Sequence, residues 1–138
     1  MESQNKSQTT INKLQTNHKI QITSNKRYDL EERTLKFAKE VIQLSKRLPN
    51  NTVNFKLVDQ IIRSSASIGA NYREANDGLG KKDFQNRLRI ARKEAKETSY
   101  WLELVKEANP EIGKMTTSLS QECIELRNIL SAIIAKSL

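Results

Sequence analysis

Phe84, Leu88, Ala91, Ala95, Thr98, Leu102 and Val105 are separated by 4, 3, 4, 3, 4 and 3 residues. A run of that length is compatible with an amphipathic helix, roughly 82–108, and with little else. Ile90, Glu94, Glu97, Trp101 and Leu104 repeat the spacing about 100° further round the same helix. The segment before it is doubled in the same way. Val58, Ile61, Ser65, Ile68, Tyr72 and Ala75 form one seam, and Gln60, Ser64, Ser67, Asn71 and Glu74 a second. Helices with two ordered seams contact neighbours on two sides. Ser64, Ser67, Asn71, Ile90, Glu94, Glu97, Trp101 and Leu104 are therefore expected at an oligomer interface. The competing reading is one broad core face that absorbs both seams.

Two more helical patterns flank this pair. Leu30, Thr34, Phe37, Val41, Leu44 and Leu48 make a stripe that starts at an Asp29/Glu32 capping pair and stops at Pro49. Asn51 or Thr52 caps the second helix, which runs to about Asn76. Gly69 lies inside that helix, where it costs ~1 kcal/mol of propensity relative to alanine, so a bend or a close neighbour is expected there. Asn109-Pro110 ends the third helix. The fourth starts near Gly113 and carries Met115, Leu119, Cys123, Leu126, Leu130 and Ile133. Four helices on short connections predict an all-α, antiparallel up-down four-helix bundle over residues 28–138. Residues 1–27 are Asn-, Gln-, Ser-, Thr- and Lys-rich and are expected as a flexible basic arm. A hairpin turning at Leu79 sets residues summing to about 158 opposite each other, which predicts Arg63–Glu94 and Glu74–Arg87 ion pairs.

The chemistry-bearing residues do not converge. Cys123 is the single cysteine and His18 the single histidine, so no intrachain disulfide, metal site or Cys/His nucleophile is expected. Cys123 sits on an apolar stripe and is read as a buried, inert thiol. Gly78-Leu79-Gly80-Lys81-Lys82 lacks phosphate-loop spacing and follows a helix, so it is read as a turn. No catalytic residue, cofactor or membrane span is expected, and with no secretory-signal core the chain is placed in the cytoplasm.

Net charge is +8, of which the tail through Arg27 supplies half. Lys82, Arg89, Lys93 and Lys96 line the back of the third helix, with Lys81 and Arg92 on its edge. These six residues are the candidate nucleic-acid-binding surface, acting through phosphate contact and counterion release. The alternative is a solvated face on a protein–protein interaction module.

Ser67-Ile68-Gly69-Ala70-Asn71-Tyr72-Arg73-Glu74-Ala75, Asp83-Phe84 and Ile90-Ala91-Arg92-Lys93-Glu94-Ala95-Lys96-Glu97-Thr98-Ser99-Tyr100-Trp101-Leu102 resemble the bacterial proteins encoded within intervening sequences of 23S ribosomal RNA genes, the S23 ribosomal protein family. Asp29-Leu30-Glu31-Glu32-Arg33-Thr34 and Phe37-Ala38 are similar to that family's opening. Many relatives have proline in place of Gly69. The resemblance covers nearly everything from Tyr28 onward and implies a four-helix bundle assembled as a homopentamer, without catalytic activity. A more distant similarity, to the accessory protein of diversity-generating retroelements, implies a nucleic acid and a protein as partners. The expected function is a non-enzymatic, self-assembling bundle that binds RNA or DNA.

Overall fold

In the computed structural model the described backbone covers residues 11–138 and the described side chains residues 29–138. Four helices follow one another: α1 (Ile11–Arg47), α2 (Thr52–Asn76), α3 (Lys81–Ala108) and α4 (Gly113–Lys136), with a single 3-10 turn at Pro110–Ile112 before the last. The chain divides into two units, Met1–Glu32 and Arg33–Leu138. The second is the four-helix bundle.

The helix ends follow local chemistry. α1 stops at Arg47, two residues before Pro49. Asn51 caps α2, its side chain accepting from the Asn54 amide at 2.8 Å. Gly80 precedes α3 with φ +106°, a left-handed backbone that favours glycine. The start of α1 differs from expectation. Helix is continuous from Ile11, so Asp29 and Glu32 lie within it and cap nothing. No glycine or proline interrupts residues 11–47, and once a helix is nucleated each further residue adds one hydrogen bond. Of the expected flexible arm, residues 1–10 lie outside the described residues.

Thr34, Phe37, Val41 and Leu44 of α1 and Leu48 just after it are buried, as are Ile61, Ser65, Ile68, Tyr72 and Ala75 of α2. Leu88, Ala91, Ala95, Thr98, Leu102 and Val105 supply the core face of α3. On α4 the buried stripe is Thr116, Leu119, Cys123, Leu126, Leu130 and Ile134, leaving Met115 and Ile133 half-buried. The expected stripe is shifted by one residue at each end, Met115 and Ile133 lying at the edge of the buried face next to Thr116 and Ile134. Thr116 is tolerated inside because its hydroxyl donates to the Gly113 carbonyl at 2.9 Å.

Cross-helix bonds fix an antiparallel order. Between α2 and α3, Arg87 donates to Asn71, Arg63 to Glu94, and Asn54 and Asn109 exchange amide bonds of 2.9–3.0 Å. Between α3 and α4, Gln85 reaches the Ser137 carbonyl at 2.6 Å, Arg92 the Ser131 hydroxyl at 3.4 Å and Lys106 the Thr117 hydroxyl at 3.4 Å. Arg33 on α1 forks onto Glu122 and Glu125 of α4 at 2.6–2.9 Å. Thr34 lies against Gly69 of α2, whose missing side chain permits the approach: an added Cβ would stand 2.8 Å from Thr34 Oγ1. α1 and α3 therefore sit diagonally across the bundle.

Candidate nucleic-acid interface

α3 places its cations by the periodicity that buries its other side. With Leu88, Ala91 and Ala95 fully buried, Lys82, Arg89, Lys93 and Lys96 are exposed on the opposite flank and Lys81 is exposed at its edge. Arg92 is half-buried at the α4 edge, held by the Ser131 hydroxyl. All six predicted residues thus share one side of α3. The sequence reading missed Arg127. Antiparallel register puts it, one turn before Ser131, level with Lys96, one turn after Arg92. It is half-buried, with a side-chain contact to Asn128 at 3.4 Å.

The acids of this region are withdrawn from that face. Between Lys81 and Lys96 they are Asp83 and Glu94, and from Leu126 to Leu138 there are none. Glu94 is 8% exposed and accepts from Arg63 at 3.1 Å on the α2 side. Asp83, half-buried in the first turn of α3, lies against the Gly78 turn. Further along α3 the sign changes, with exposed Glu103 and Glu107. The positive surface therefore ends after Lys96.

The residues expected at an oligomer interface separate into two groups. Ser64 is fully buried within its own chain, its oxygen 2.8 Å from the Thr98 hydroxyl, and Glu94 is buried beside Arg63. Ser67, Asn71, Glu97, Trp101 and Leu104 are half-buried, and Ile90 is 39% exposed. Asn71 donates to the Ser67 carbonyl at 2.9 Å and accepts from Arg87 at 3.3 Å, so the expected Glu74–Arg87 pair is replaced by Asn71–Arg87. Arg63–Glu94 forms as expected, and Arg63 also binds Glu97. The Trp101 indole donates to Glu97 at 3.0 Å and packs edge-on against Tyr100 at 5.4 Å. This bond and Arg63 hold the Glu97 carboxyl below its ordinary range, against an opposing contribution from burial. Further exposed apolar side chains are on α1 and α2: Leu35 and Ile42, seven residues apart on α1, and Phe55 at the start of α2 are 42%, 42% and 62% exposed.

Cys123 is fully buried, 3.1 Å from the Ala95 carbonyl, and burial pushes its thiol up to about 11. It offers no thiolate at neutral pH. Among the described residues no group of three or more His, Cys, Asp and Glu is arranged to hold a metal, and no helix is long and apolar enough to cross a membrane.

The family model for 23S rRNA-intervening sequence proteins matches residues 26–132. The chain belongs to that family. A solved structure from Bacteroides thetaiotaomicron VPI-5482, described as a protein of unknown function from the S23 ribosomal protein family, is 38% identical and superposes with a TM-score of 0.73. It covers 80% of this chain and 98% of its own. No functionally curated protein matches. The intervening-sequence family is not a known enzyme family, and the basic face described above lies wholly within the matched residues.

Proposed function

We propose that this intervening-sequence protein is a non-enzymatic, self-assembling bundle that binds nucleic acid through the α3–α4 face. The observation that supports it most is the charge sorting on α3. Exposed cations are spread over four turns while the acids in that stretch are buried or turned away, Glu94 being neutralised by Arg63. Lysines scattered only for solubility leave acids among them; an uninterrupted positive face suits phosphate contact and counterion release. Without side chains arranged to read base edges, binding is expected to be independent of sequence.

Assembly is supported by two separate groups of exposed or half-buried apolar side chains, Leu35/Ile42/Phe55 on α1 and α2 and Ile90/Trp101/Leu104 on α3. A contact between unlike patches is heterologous and closes into a ring when the rotation allows, a homopentamer being the form expected of the family. A ring would repeat the basic face once per protomer. A second reading, a protein–protein interaction module, draws on the Arg63–Trp101–Tyr100 cluster, since these residue types dominate binding hot spots.

Light scattering on the full chain, with and without a structured RNA, at low and high salt, tests both parts. The expected species is several times 15.8 kDa and gains RNA mass only at low salt. An oligomer indifferent to RNA at any salt would leave the interaction module. A monomer would remove the assembly.

A further inference from the structure

Resting on the nucleic-acid reading, we infer that the α3–α4 face is built for the two phosphate backbones of a duplex, RNA or DNA, and not for a single strand. The cations lie in two rows. Lys82, Arg89, Lys93 and Lys96 run down the outer flank of α3. Lys81 and Arg92 follow its α4 edge, and Arg127 of α4 extends that second row to the level of Lys96. Each row covers ~21 Å at 1.5 Å per residue. Lys81 and Arg92 stand part of a turn round α3 from the outer row, and Arg127 projects from the neighbouring helix, whose axis lies ~8–10 Å away, so the second row runs beside the first and separate from it. In a B-form duplex two lines of phosphates run side by side across grooves ~6 and ~12 Å wide, and long, flexible Lys and Arg side chains can adjust to either. A single strand offers one line of phosphates and leaves the second row unmatched.

The aromatic residues support the same conclusion. Single-strand binders combine a basic groove with aromatic platforms on which bases stack. Between Lys81 and Ser99 the one aromatic is Phe84, half-buried, and α4 beyond Leu126 has none. Tyr100 is 60% exposed but lies past the last cation and is braced edge-on by Trp101. The cations are thus supplied without stacking surfaces. Arg92 and Arg127 separate the two uses of the face, because both belong to the row that only a second strand would engage.

Fluorescence anisotropy would compare three labelled probes of equal length, about two helical turns or ~20 bp: duplex DNA, duplex RNA and a mixed-sequence single strand without self-complementarity. At one low salt concentration a duplex is expected to bind at least ~10-fold more tightly than the single strand, with a log–log salt slope approaching about −6 if all seven cations engage. The two duplexes distinguish DNA from RNA as the source, and a preference for either over the single strand supports the inference. Arg92→Gln with Arg127→Gln is expected to weaken duplex binding by a larger factor than single-strand binding. Equal affinity for all three probes, tighter single-strand binding, or equal losses in the double variant would overturn the duplex inference while the nucleic-acid reading stands. No binding of any probe at low salt would remove both.

Discussion

Gly69→Ala gives opposite outcomes depending on whether helix propensity or packing governs that position. In an open helix interior the substitution stabilises by ~1 kcal/mol, because alanine is the better helix former. In this bundle the new methyl would stand 2.8 Å from Thr34 Oγ1 and 3.1 Å from Thr34 Cβ, and Thr34 is itself 1% exposed. An ordinary contact at these atoms lies near ~3.5 Å, so α1 and α2 must separate locally by about half an ångström. Overpacking of this kind costs ~1–3 kcal/mol. Set against the propensity gain, the net expectation is destabilisation of about 1 kcal/mol, a fall of ~2–6 °C in Tm. Urea titration of wild type, Gly69→Ala, Thr34→Ala and the double variant would isolate the contact. In the Thr34→Ala background the methyl meets no hydroxyl but still faces the Cβ at 3.1 Å, so the same substitution is expected to cost less than in wild type, with a coupling of up to about 1 kcal/mol. Gly69→Ala more stable than wild type, or additive effects across the cycle, would refute the packing argument.

Asn54 and Asn109 tie the α1–α2 turn to the α3–α4 connection through two buried amide bonds, and Asn54 also donates to the Pro49 carbonyl. Asn109→Ala leaves the Asn54 amide short of a donor and an acceptor and is expected to destabilise by ~1–3 kcal/mol, read by urea titration. Cys123, with its thiol raised to about 11, should not react with Ellman's reagent at pH 8 until the chain unfolds; rapid native-state labelling would contradict its burial. The Glu97 carboxyl is held below its ordinary value of 4.5, so its contribution is present above that pH and lost as the pH falls through the depressed folded value. Glu97→Gln should cost ~0–1 kcal/mol at neutral pH and flatten the loss of stability below pH 4.5. An acid limb unchanged by the substitution would show that Glu97 does not carry it.

What could be read from the sequence depended on whether one helix or several defined the feature. The stripes of α1 and α3 were legible because spacing alone selects a face. Gly69 was legible as a close approach because a glycine in a good helix needs a packing reason, and Thr34 supplies one. Arg63–Glu94 followed from hairpin register. Glu74–Arg87 did not form because Arg87 has a nearer acceptor in Asn71, and register cannot choose between acceptors one turn apart. The start of α1 was missed because no breaker lies upstream of Asp29, and a capping pattern within a continuing helix has nothing to cap. The Asn54–Asn109 exchange joins the first turn of α2 to the α3–α4 connection, 55 residues on, and leaves no periodic trace. On the basic face, the α3 cations were visible as a flank of one helix. Arg127 and the neutralisation of Glu94 both require knowing which helix lies on which side of α3.

The most direct test of the basic face is the salt dependence of nucleic-acid binding by wild type and by the variant carrying Arg89→Gln, Lys93→Gln and Lys96→Gln. Each phosphate contact contributes about 0.9 to the log–log slope on duplex, so loss of three cations should reduce the slope by about 3 and weaken binding alike on unrelated sequences. Helical content should be unchanged, because all three side chains are exposed. A variant that binds with wild-type affinity and slope would show that the charge of α3 serves another purpose.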